Sequence, residues 1–473
     1  MDTSWAQRLA AFVHGTFHGD MPQDVLERAA FQLLDSVACA AGAHDSEAVA
    51  VVRHVVGGSG PAESTLWFGG GAASSLDALL VNGTAVRALD ANDLFLGLGP
   101  AGHPSDNIPA VVAVGELGAA SAQDMLKAIV LVYELIWRIR GTLFKAPQNG
   151  QQWDGVSVSG LAVAAVSAAL MGGDQGQISQ AIAIGAAKGY ALREIRDGEI
   201  SMLKAAANAV VARDGVLAAK LAMHGMTGPG KVIEGRRGLI RTLGNEPSSD
   251  LLDTLCAPAE WAIRNVSIKA FPAIGMAQAA LSACQVIQQT ETYDADVISA
   301  VAICLPDSPW TRENVGISQR HRLESRESAD HSIPFLVSLC LLEGDVSLQH
   351  YDRERWRDDD VIALMKKTSI VADERLAGAA RCTYPARIEI ELHSGRSIVH
   401  EVIATPGSPE NPWERDEIVQ KWLRVDRTGL PVGAVERIAD HAVGLIDGSV
   451  ELAEFVGLVG AAPGAVTVTG QES

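Results

Sequence analysis

Several motifs that define common enzyme classes are missing from this sequence. It has no HExxH metal motif, no GxSxG nucleophile elbow, no Walker A loop and no GxGxxG motif that follows a strand. The glycine-rich stretch FGGGAASS, residues 68–75, lacks the lysine of a phosphate-binding loop, and we expect it to form a turn. The cysteines and histidines show no metal-ligand spacing, so the sequence predicts no metal centre.

The sequence is also short of positive charge and of long apolar runs. Lys and Arg number 38 against 57 Asp and Glu, which gives a formal charge of −19 and no basic stripe for nucleic acid. We expect no membrane span, because no uncharged apolar run reaches about 18 residues, and no signal peptide, because the N-terminus has no basic region before an apolar run. The six cysteines form no CxxC pair, which is typical of reduced thiols. These absences predict a soluble, cytoplasmic protein.

Helical periodicity is abundant in the chain and is interrupted once. Residues 1–266 are almost entirely helical in pattern, with one long apolar helix predicted at 122–144. The pattern then changes, because DVISAVAICLP (296–306) predicts a strand and ARIEIELHSGRSIVHEVIA (386–404) predicts two strands joined by a turn. Helical periodicity returns at RDEIVQKWLRV (415–425).

These patterns predict a mainly α protein with two domains. Residues 1–266 and 407–458 would form a large all-α helical domain, and residues 267–406 a smaller α+β domain inserted into it. The last stretch, residues 459–473, is predicted to be a disordered tail.

The stretch LDANDLFLGLGPAGHPSDN, residues 89–107, gathers ionisable side chains between two predicted helices. Asp90 and Asp93 are close enough in sequence to share a site, where two carboxylates raise one another's pKa and one can act as a base or an acid. His103, at the far end of the loop, could supply the complementary acid. Alternatively, both aspartates cap a helix and His103 begins the next turn, and the residues alone leave this open.

Four further candidates lie along the chain. Lys204 begins an alanine-rich helix, where a lysine on an apolar face could act as a base or anchor a carboxylate. Arg193 and Arg196 could form a paired cationic face for carboxylates, although ordinary surface ion pairing is favoured from the residues alone. Lys269 lies where the pattern changes and faces either a ligand cleft or solvent. His331 precedes an apolar helix and is most simply a capping residue.

Five segments occur in an order that matches one known family. They are LDANDLFLGLGPAGHPSDN, which resembles the family's LDFxD…GHPSDN loop; GMTGPGKVIEGRRGL, its GFTGP…EGxxG segment; IKAFPA, its KxFPA junction; RESADHSIPF, its RxxADHSxxY segment; and TPGSPENPWERDEIVQKW, its P-x-GxPxNP…KF signature. Together they resemble the MmgE/PrpD family, which contains 2-methylcitrate dehydratase, cis-aconitate decarboxylase and iminodisuccinate epimerase. Each motif is short, but five in order over nearly the whole chain are specific.

This resemblance implies an architecture and a type of chemistry. It implies a large all-α domain built from both ends of the chain, with the inserted α+β domain acting as a lid over a cleft at their junction. It also implies a homodimer that uses no metal and no organic cofactor. Family members act on small di- and tricarboxylates at a carbon next to a carboxylate, which requires cations on the carboxylate and a base at the C–H bond.

The resemblance also implies site residues. Asp90, His103, Lys204 and Asp154 match catalytic positions, and Asp154 is an aspartate as in the dehydratases, where the decarboxylases carry a histidine. Gln278 is likewise a glutamine as in the dehydratases rather than the histidine of the decarboxylases. The implied substrate-binding residues are Arg193, Arg196, Ser105, Lys269 and Gln278.

Two residues depart from the family pattern. Leu94 replaces a threonine and Phe335 replaces a tyrosine, so the pocket would lose two hydroxyl groups. The loop before His103 is also one residue longer than in the dehydratase pattern. These departures predict a substrate other than 2-methylcitrate, such as a smaller or less oxygenated acid.

The leading functional prediction is a hydro-lyase that removes water from a hydroxylated di- or tricarboxylate. Asp90 or Lys204 would take the α-proton and His103 would protonate the leaving hydroxide. An epimerase that uses two opposed bases, a decarboxylase of a cis-aconitate-like acid and a non-catalytic carboxylate-binding protein are the alternatives.

Overall fold

Helices dominate the computed structural model of this chain, as the sequence pattern predicted. The structure describes residues 3–57, 60–96, 102–143, 153–196, 200–257, 260–317, 323–380 and 382–461. The helices are Trp5–His18 (α1), Gln23–Gly42 (α2), Glu47–Val56 (α3), Ser75–Ala88 (α4), Ile108–Gly118 (α5), Ala122–Leu143 (α6), Ser159–Leu170 (α7), Gln175–Gly185 (α8), Leu203–Met223 (α9), Leu239–Thr242 (α10), Ser249–Cys256 (α11), Gln278–Thr290 (α12), Pro309–Ile317 (α13), Arg326–Ala329 (α14), Ile333–Glu343 (α15), Leu348–Asp352 (α16), Asp359–Met365 (α17), Arg415–Val425 (α18), Val432–Gly444 (α19) and Leu452–Gly460 (α20). The strands are Ser64–Leu66 (β1), Gly71–Ala73 (β2), Leu94–Phe95 (β3), Val266–Ser267 (β4), Ile298–Pro306 (β5), Thr368–Asp373 (β6), Ala386–Leu392 (β7) and Ser397–Val402 (β8). None of the helices in these ranges combines the length and apolarity that a bilayer crossing requires.

The chain divides into two compact units. The first consists of residues 1–197, 202–265 and 414–473, and the second of residues 198–201 and 266–413. Because the first unit contains both ends of the chain, helix α18 packs against α2. The last helix ends at Gly460, and residues 462–473 of the predicted tail lie outside the described residues.

Polar residues begin several helices of the first unit. The Ser4 hydroxyl accepts a hydrogen bond from the Gln7 amide at the start of α1, and Asp174 does the same for the Gln177 amide at the start of α8. The glutamine side chains bond back to the cap residues, which completes capping boxes. These contacts satisfy amides that have no partner within the helix.

Helices α7, α8 and α9 pack closely because their contact positions are glycines and alanines. A Cβ atom on Gly215 would lie 2.7 Å from the Gly160 carbonyl oxygen, and one on Gly185 would lie 2.9 Å from the same oxygen. The small side chains at these positions allow the helices to approach this closely. This packing fixes α9, which begins with Leu203 and Lys204.

The second unit contains a four-stranded sheet with the order β6-β5-β7-β8. Strand β5 is parallel to β6 and antiparallel to β7, so that Ile303 lies opposite Ile370 on one side and Ile388 on the other. Strands β7 and β8 form the predicted antiparallel pair, with Gly395 in a left-handed conformation in the turn between them. Helix α12 packs against β7 and β8.

One local sequence prediction was confirmed in part and one was wrong. Of the predicted turn at residues 68–75, residues 68–70 form a turn, but residues 71–73 form strand β2, because they pair with β1. The cap of α15 is Ser332, whose hydroxyl accepts from the Phe335 amide, and not His331.

Candidate active site

Asp90 lies in a turn that directly follows helix α4, and its backbone is left-handed with φ of 51°. A residue other than glycine in this conformation costs about 1 kcal/mol or more, so the surrounding structure must impose it. The carboxylate is buried between two cations. Its Oδ1 lies 2.9 Å from Arg87 Nη1, and its Oδ2 lies 3.0 Å from Lys204 Nζ. This pairing favours the ionised carboxylate.

His103 lies beside this carboxylate with a defined tautomer. Its Nδ1 is 2.6 Å from the carbonyl oxygen of Asp93, and because a carbonyl can only accept, Nδ1 carries the hydrogen. Its other ring nitrogen, Nε2, lies 4.0 Å from Asp90 Oδ1. The structure thus brings together Asp90, His103 and Lys204, three of the four residues implied to be catalytic.

Asp93 belongs to a buried hydrogen-bond network and not to this cluster of charges. Its Oδ1 accepts from the Ser105 hydroxyl at 2.5 Å, and its Oδ2 accepts from the Tyr133 hydroxyl at 2.8 Å. The Asn92 amide donates to the Ser105 oxygen and to Asp106 Oδ1, each at 2.8 Å. Ser105, implied to bind substrate, is thus engaged with Asn92 and Asp93, and the Asp93 carboxylate caps the following turn through the Ser105 amide.

Burial raises the pKa of both buried aspartates in this network. The pKa of Asp93 rises to about 7, because desolvation outweighs the hydrogen bonds from Ser105 and Tyr133. The pKa of Asp106 rises to about 6 by desolvation, against the opposing charges of Arg87 and Arg196. These carboxyls therefore bind protons more tightly in the folded chain than in the unfolded one.

This proton binding makes stability depend on pH. A carboxyl with a raised folded pKa stabilises the fold fully below its unfolded pKa, and the stabilisation is lost as the pH rises through the folded pKa, at up to about 1.4 kcal/mol per pH unit. We expect Asp93→Asn to flatten the decline of the free energy of unfolding between about pH 4 and pH 7, because the amide carries no charge and can still bond Ser105 and Tyr133. Urea titrations at several pH values measure this. Asp20→Asn, at an exposed residue, is the matched control, and an unchanged slope in Asp93→Asn would contradict the prediction.

Asp154 and Arg196 form a two-pronged ion pair. Arg196 Nε lies 2.5 Å from Asp154 Oδ2, and Nη2 lies 3.1 Å from Oδ1, which also accepts from the Val156 amide. Burial raises the pKa of Asp154, but the charge and hydrogen bonds of Arg196 outweigh it and leave the pKa below its ordinary value. Asp154 thus orients an arginine that is itself partly exposed. Arg193, at the other end of the same 3₁₀ turn, is exposed.

Arg140 is a buried cation that the sequence analysis did not single out. A Cβ atom on Gly155 would lie 2.1 Å from its Nη1, and one on Gly102 would lie 2.9 Å from its Cζ. Because Gly102 precedes His103 and Gly155 follows Asp154, the guanidinium lies against both loops of the site. Burial lowers the pKa of Arg140 to about 10. The only signal in the sequence was a cation at the end of the apolar helix α6.

We expect Gly155→Ala to displace Arg140, because the new methyl group would overlap the guanidinium. Its backbone φ is not in the left-handed region, so the effect would be steric only. We expect a loss of about 1 to 3 kcal/mol of stability, as for other overpacked positions, and a lower turnover rate. Gly15→Ala, in helix α1 where a Cβ would meet nothing within 4 Å, is the control. A variant with wild-type melting temperature and turnover would contradict the prediction.

The second unit contains Lys269 and Gln278, the other two residues that the resemblance implies to bind substrate. Lys269 is buried. The Gln278 side chain accepts from the Ala270 and Phe271 amides at 3.0 and 3.1 Å and donates to the Phe271 carbonyl at 3.1 Å. Gln278 therefore holds the backbone that follows Lys269.

The two departures from the family pattern are both buried. Leu94 is 2% exposed in strand β3. Phe335 is fully buried in an aromatic cluster, with its ring centroid 6.5 Å from that of Tyr351 and 6.4 Å from that of Trp356. Within the second unit, the Phe335 ring therefore has a packing role.

Two domain models of one protein family match this chain. The MmgE/PrpD N-terminal domain matches residues 7–252, and the MmgE/PrpD C-terminal domain matches residues 271–445. A cis-aconitate decarboxylase-like protein, oryM, of Aspergillus oryzae is 23% identical over 93% of this chain and 94% of its own length. The alkylcitrate dehydratase phiI of a fungal species is 26% identical over 97% of this chain and 94% of its own length.

The match to a third relative covers a smaller share of both chains. The mitochondrial 2-methylcitrate dehydratase of Yarrowia lipolytica is 24% identical over 75% of this chain and 71% of its own length. The two domain matches together span most of the sequence, and they include Asp90, His103 and Lys204 in the first and Gln278 in the second. The chain therefore belongs to the MmgE/PrpD family of enzymes.

Proposed function

We propose that this protein is a hydro-lyase that removes water from a small hydroxylated di- or tricarboxylate, in the manner of 2-methylcitrate dehydratase. The observation that carries the proposal is the position of His103 Nε2, 4.0 Å from an Asp90 carboxylate that pairs with Arg87 and Lys204. A dehydration needs one group that accepts a proton and one that donates a proton, and these two residues supply them side by side.

In the proposed reaction, Asp90 accepts the proton from the carbon next to a substrate carboxylate. The electron pair of the broken C–H bond forms the new C=C bond as the C–O bond breaks, and His103 gives its Nε2 proton to the departing hydroxide, which leaves as water. Asp90 is then protonated and His103 neutral. Because Nε2 and Oδ1 are 4.0 Å apart, that proton would pass from Asp90 to His103 through one bridging water molecule, which restores both groups.

Lys204 has the cationic role in this proposal rather than the alternative role of base. Its ammonium is 3.0 Å from Asp90 Oδ2 and pairs with that carboxylate. A cation at this position also stabilises the negative charge that develops on the substrate carboxylate as the proton leaves.

The remaining implied residues would hold the substrate. Arg196, oriented by Asp154, offers a partly exposed guanidinium to a carboxylate, and Arg193 follows on the same turn. Lys269 would contribute a further cation from the α+β domain, with Gln278 and, in the first unit, Ser105 as positioning groups. We further propose that this domain acts as a lid, that the protein is a cytoplasmic homodimer and that it needs no metal or organic cofactor.

Proton NMR in deuterium oxide tests the proposal. The purified protein is mixed with 2-methylcitrate, citrate, citramalate, malate, cis-aconitate and iminodisuccinate, each alone and with His103→Asn as the inactive control. New olefinic signals from one hydroxy acid would support a hydro-lyase and identify its substrate class. Loss of an α-proton signal without a new product would show an epimerase instead, release of carbon dioxide would show a decarboxylase, and no change with any acid would contradict all three activities on these acids.

A further inference from the structure

A buried ion pair, formed by residues far from Asp90 in sequence, donates a hydrogen bond to the turn that contains Asp90. Lys421, in helix α18, is 1% exposed, and its Nζ lies 2.5 Å from Oδ1 of the fully buried Asp35 in α2. The same ammonium donates to the carbonyl oxygen of Ala91 at 2.7 Å. Ala91 is the residue after Asp90, so the bond holds the Ala91–Asn92 peptide, one residue beyond the left-handed Asp90.

The turn needs such a bond because its conformation is unfavourable. Asp90 has φ of 51°, and a non-glycine residue there costs about 1 to 2 kcal/mol. On the N-terminal side, the Asp90 amide donates to the Arg87 carbonyl at 3.2 Å. Beyond Ala91, the side chains of Asn92 and Asp93 are held by their own network. Helix α18 contacts this turn through the Lys421 ammonium, which donates a hydrogen bond to the Ala91 carbonyl.

The packing around the turn leaves little room for it to relax. A Cβ atom on Gly42, at the end of α2, would lie 2.7 Å from a methyl group of Leu89 and 2.8 Å from the Val425 carbonyl oxygen. The end of α2, the residue before Asp90 and the end of α18 are therefore in direct contact. Movement of α18 relative to α2 would move the Asp90 turn with it.

We propose that Lys421 is a positioning residue for the reaction, which acts by holding the Ala91 carbonyl so that the Asp90 carboxylate stays directed at Lys204 and His103. This inference rests on the proposed role of Asp90 as the proton acceptor. Lys421 and its partner Asp35 lie outside the cluster of Asp90, His103 and Lys204, and the bond to the Ala91 carbonyl links them to the turn that contains Asp90.

Two variants separate this role from simple stabilisation. Asp35→Leu/Lys421→Met replaces the pair by apolar side chains of similar length, which retains packing but removes the bond to Ala91. Asp35→Asn is the matched control, because the asparagine oxygen still accepts from Lys421 and leaves the ammonium in place to bond Ala91. The control loses the negative charge and therefore stability, but it keeps the anchor.

Hydrogen–deuterium exchange of peptides covering residues 86–95 and steady-state kinetics on the substrate found by NMR are the two measurements. For Asp35→Leu/Lys421→Met we expect faster exchange in this segment and a kcat about 100-fold lower with KM little changed, since a displacement of about 1 Å at a reacting group has effects of this size. For Asp35→Asn we expect a lower melting temperature with exchange and kcat near wild type.

The inference is overturned if the double variant exchanges like wild type in residues 86–95, or if it exchanges faster and keeps the wild-type kcat. Asp35→Asn/Lys421→Gln is the substitute if the double variant does not fold, because the shorter glutamine retains a polar pair but does not reach Ala91. If wild type turns over none of the acids, the proposed function fails, while the exchange measurement still shows whether Lys421 holds the turn.

Discussion

Replacement of His103 by asparagine should lower kcat by about 10² to 10⁴-fold, the usual contribution of a general acid, without disturbing the fold. The asparagine amide nitrogen can take the place of Nδ1 and donate to the Asp93 carbonyl, a bond of 2.6 Å in the structure. Nothing in asparagine replaces Nε2, the atom 4.0 Å from Asp90 Oδ1. Steady-state kinetics and a thermal melt by circular dichroism measure the two effects.

Replacement of His103 by glutamine is the matched control. In His103→Gln, the longer amide reaches the position of Nε2 but leaves the Asp93 carbonyl without its hydrogen bond. We expect this variant to be inactive as well and less stable than His103→Asn. If His103→Asn kept the wild-type kcat while His103→Gln lost it, the histidine would serve only to bond the Asp93 carbonyl, and the proposed acid would have to be another group.

Replacement of Lys204 by methionine should lower kcat/KM by about 10³-fold, as for the loss of an electrostatic group that acts in the transition state. It should also lower the melting temperature. Lys204 and Asp90 are both buried, 3.0 Å apart, and removal of one partner of such a pair typically costs about 3 to 5 kcal/mol. Arg87 remains 2.9 Å from the carboxylate, which limits the loss.

The double variant Asp90→Asn/Lys204→Met tests whether the two residues act as one unit. It also takes the carboxylate away from the buried Arg87, so we expect a melting temperature no higher than in Lys204→Met alone, with activity as low or lower. If the two residues act as one unit, the double variant loses no more activity than the more damaging single variant. Wild-type turnover in the double variant would show that the pair serves the fold alone.

Elements with a strong local pattern could be predicted from the sequence. Helix α18 was predicted over 415–425 and is observed as Arg415–Val425, and strands β7 and β8 follow the alternation of buried and exposed residues. Strand β6 could not be predicted. Most of its six residues are not fully buried, and what makes it a strand is its parallel pairing with β5, which precedes it by about 60 residues.

The members of the site could be named from motifs, but their contacts could not. Asp90 and Lys204 are 114 positions apart, and nothing in the spacing says that they touch. Neither could spacing show that Asp154 and Gln278 direct their side chains at a guanidinium and at backbone amides. Arg140 was passed over because a cation at the end of an apolar helix usually faces solvent, and its burial depends on two distant glycines.

The position of α18 has a consequence for how a nascent chain acquires this site. Arg87, His103 and Lys204, which contact or lie beside Asp90, are all synthesised before residue 266. Lys421 is 330 positions beyond Ala91 and leaves the ribosome only after the whole of residues 266–413. N-terminal segments generally fold as they emerge, whereas contacts of long sequence separation form late. We therefore expect α18 to pack against α2, and to secure the Asp90 turn, only after the second unit has been synthesised.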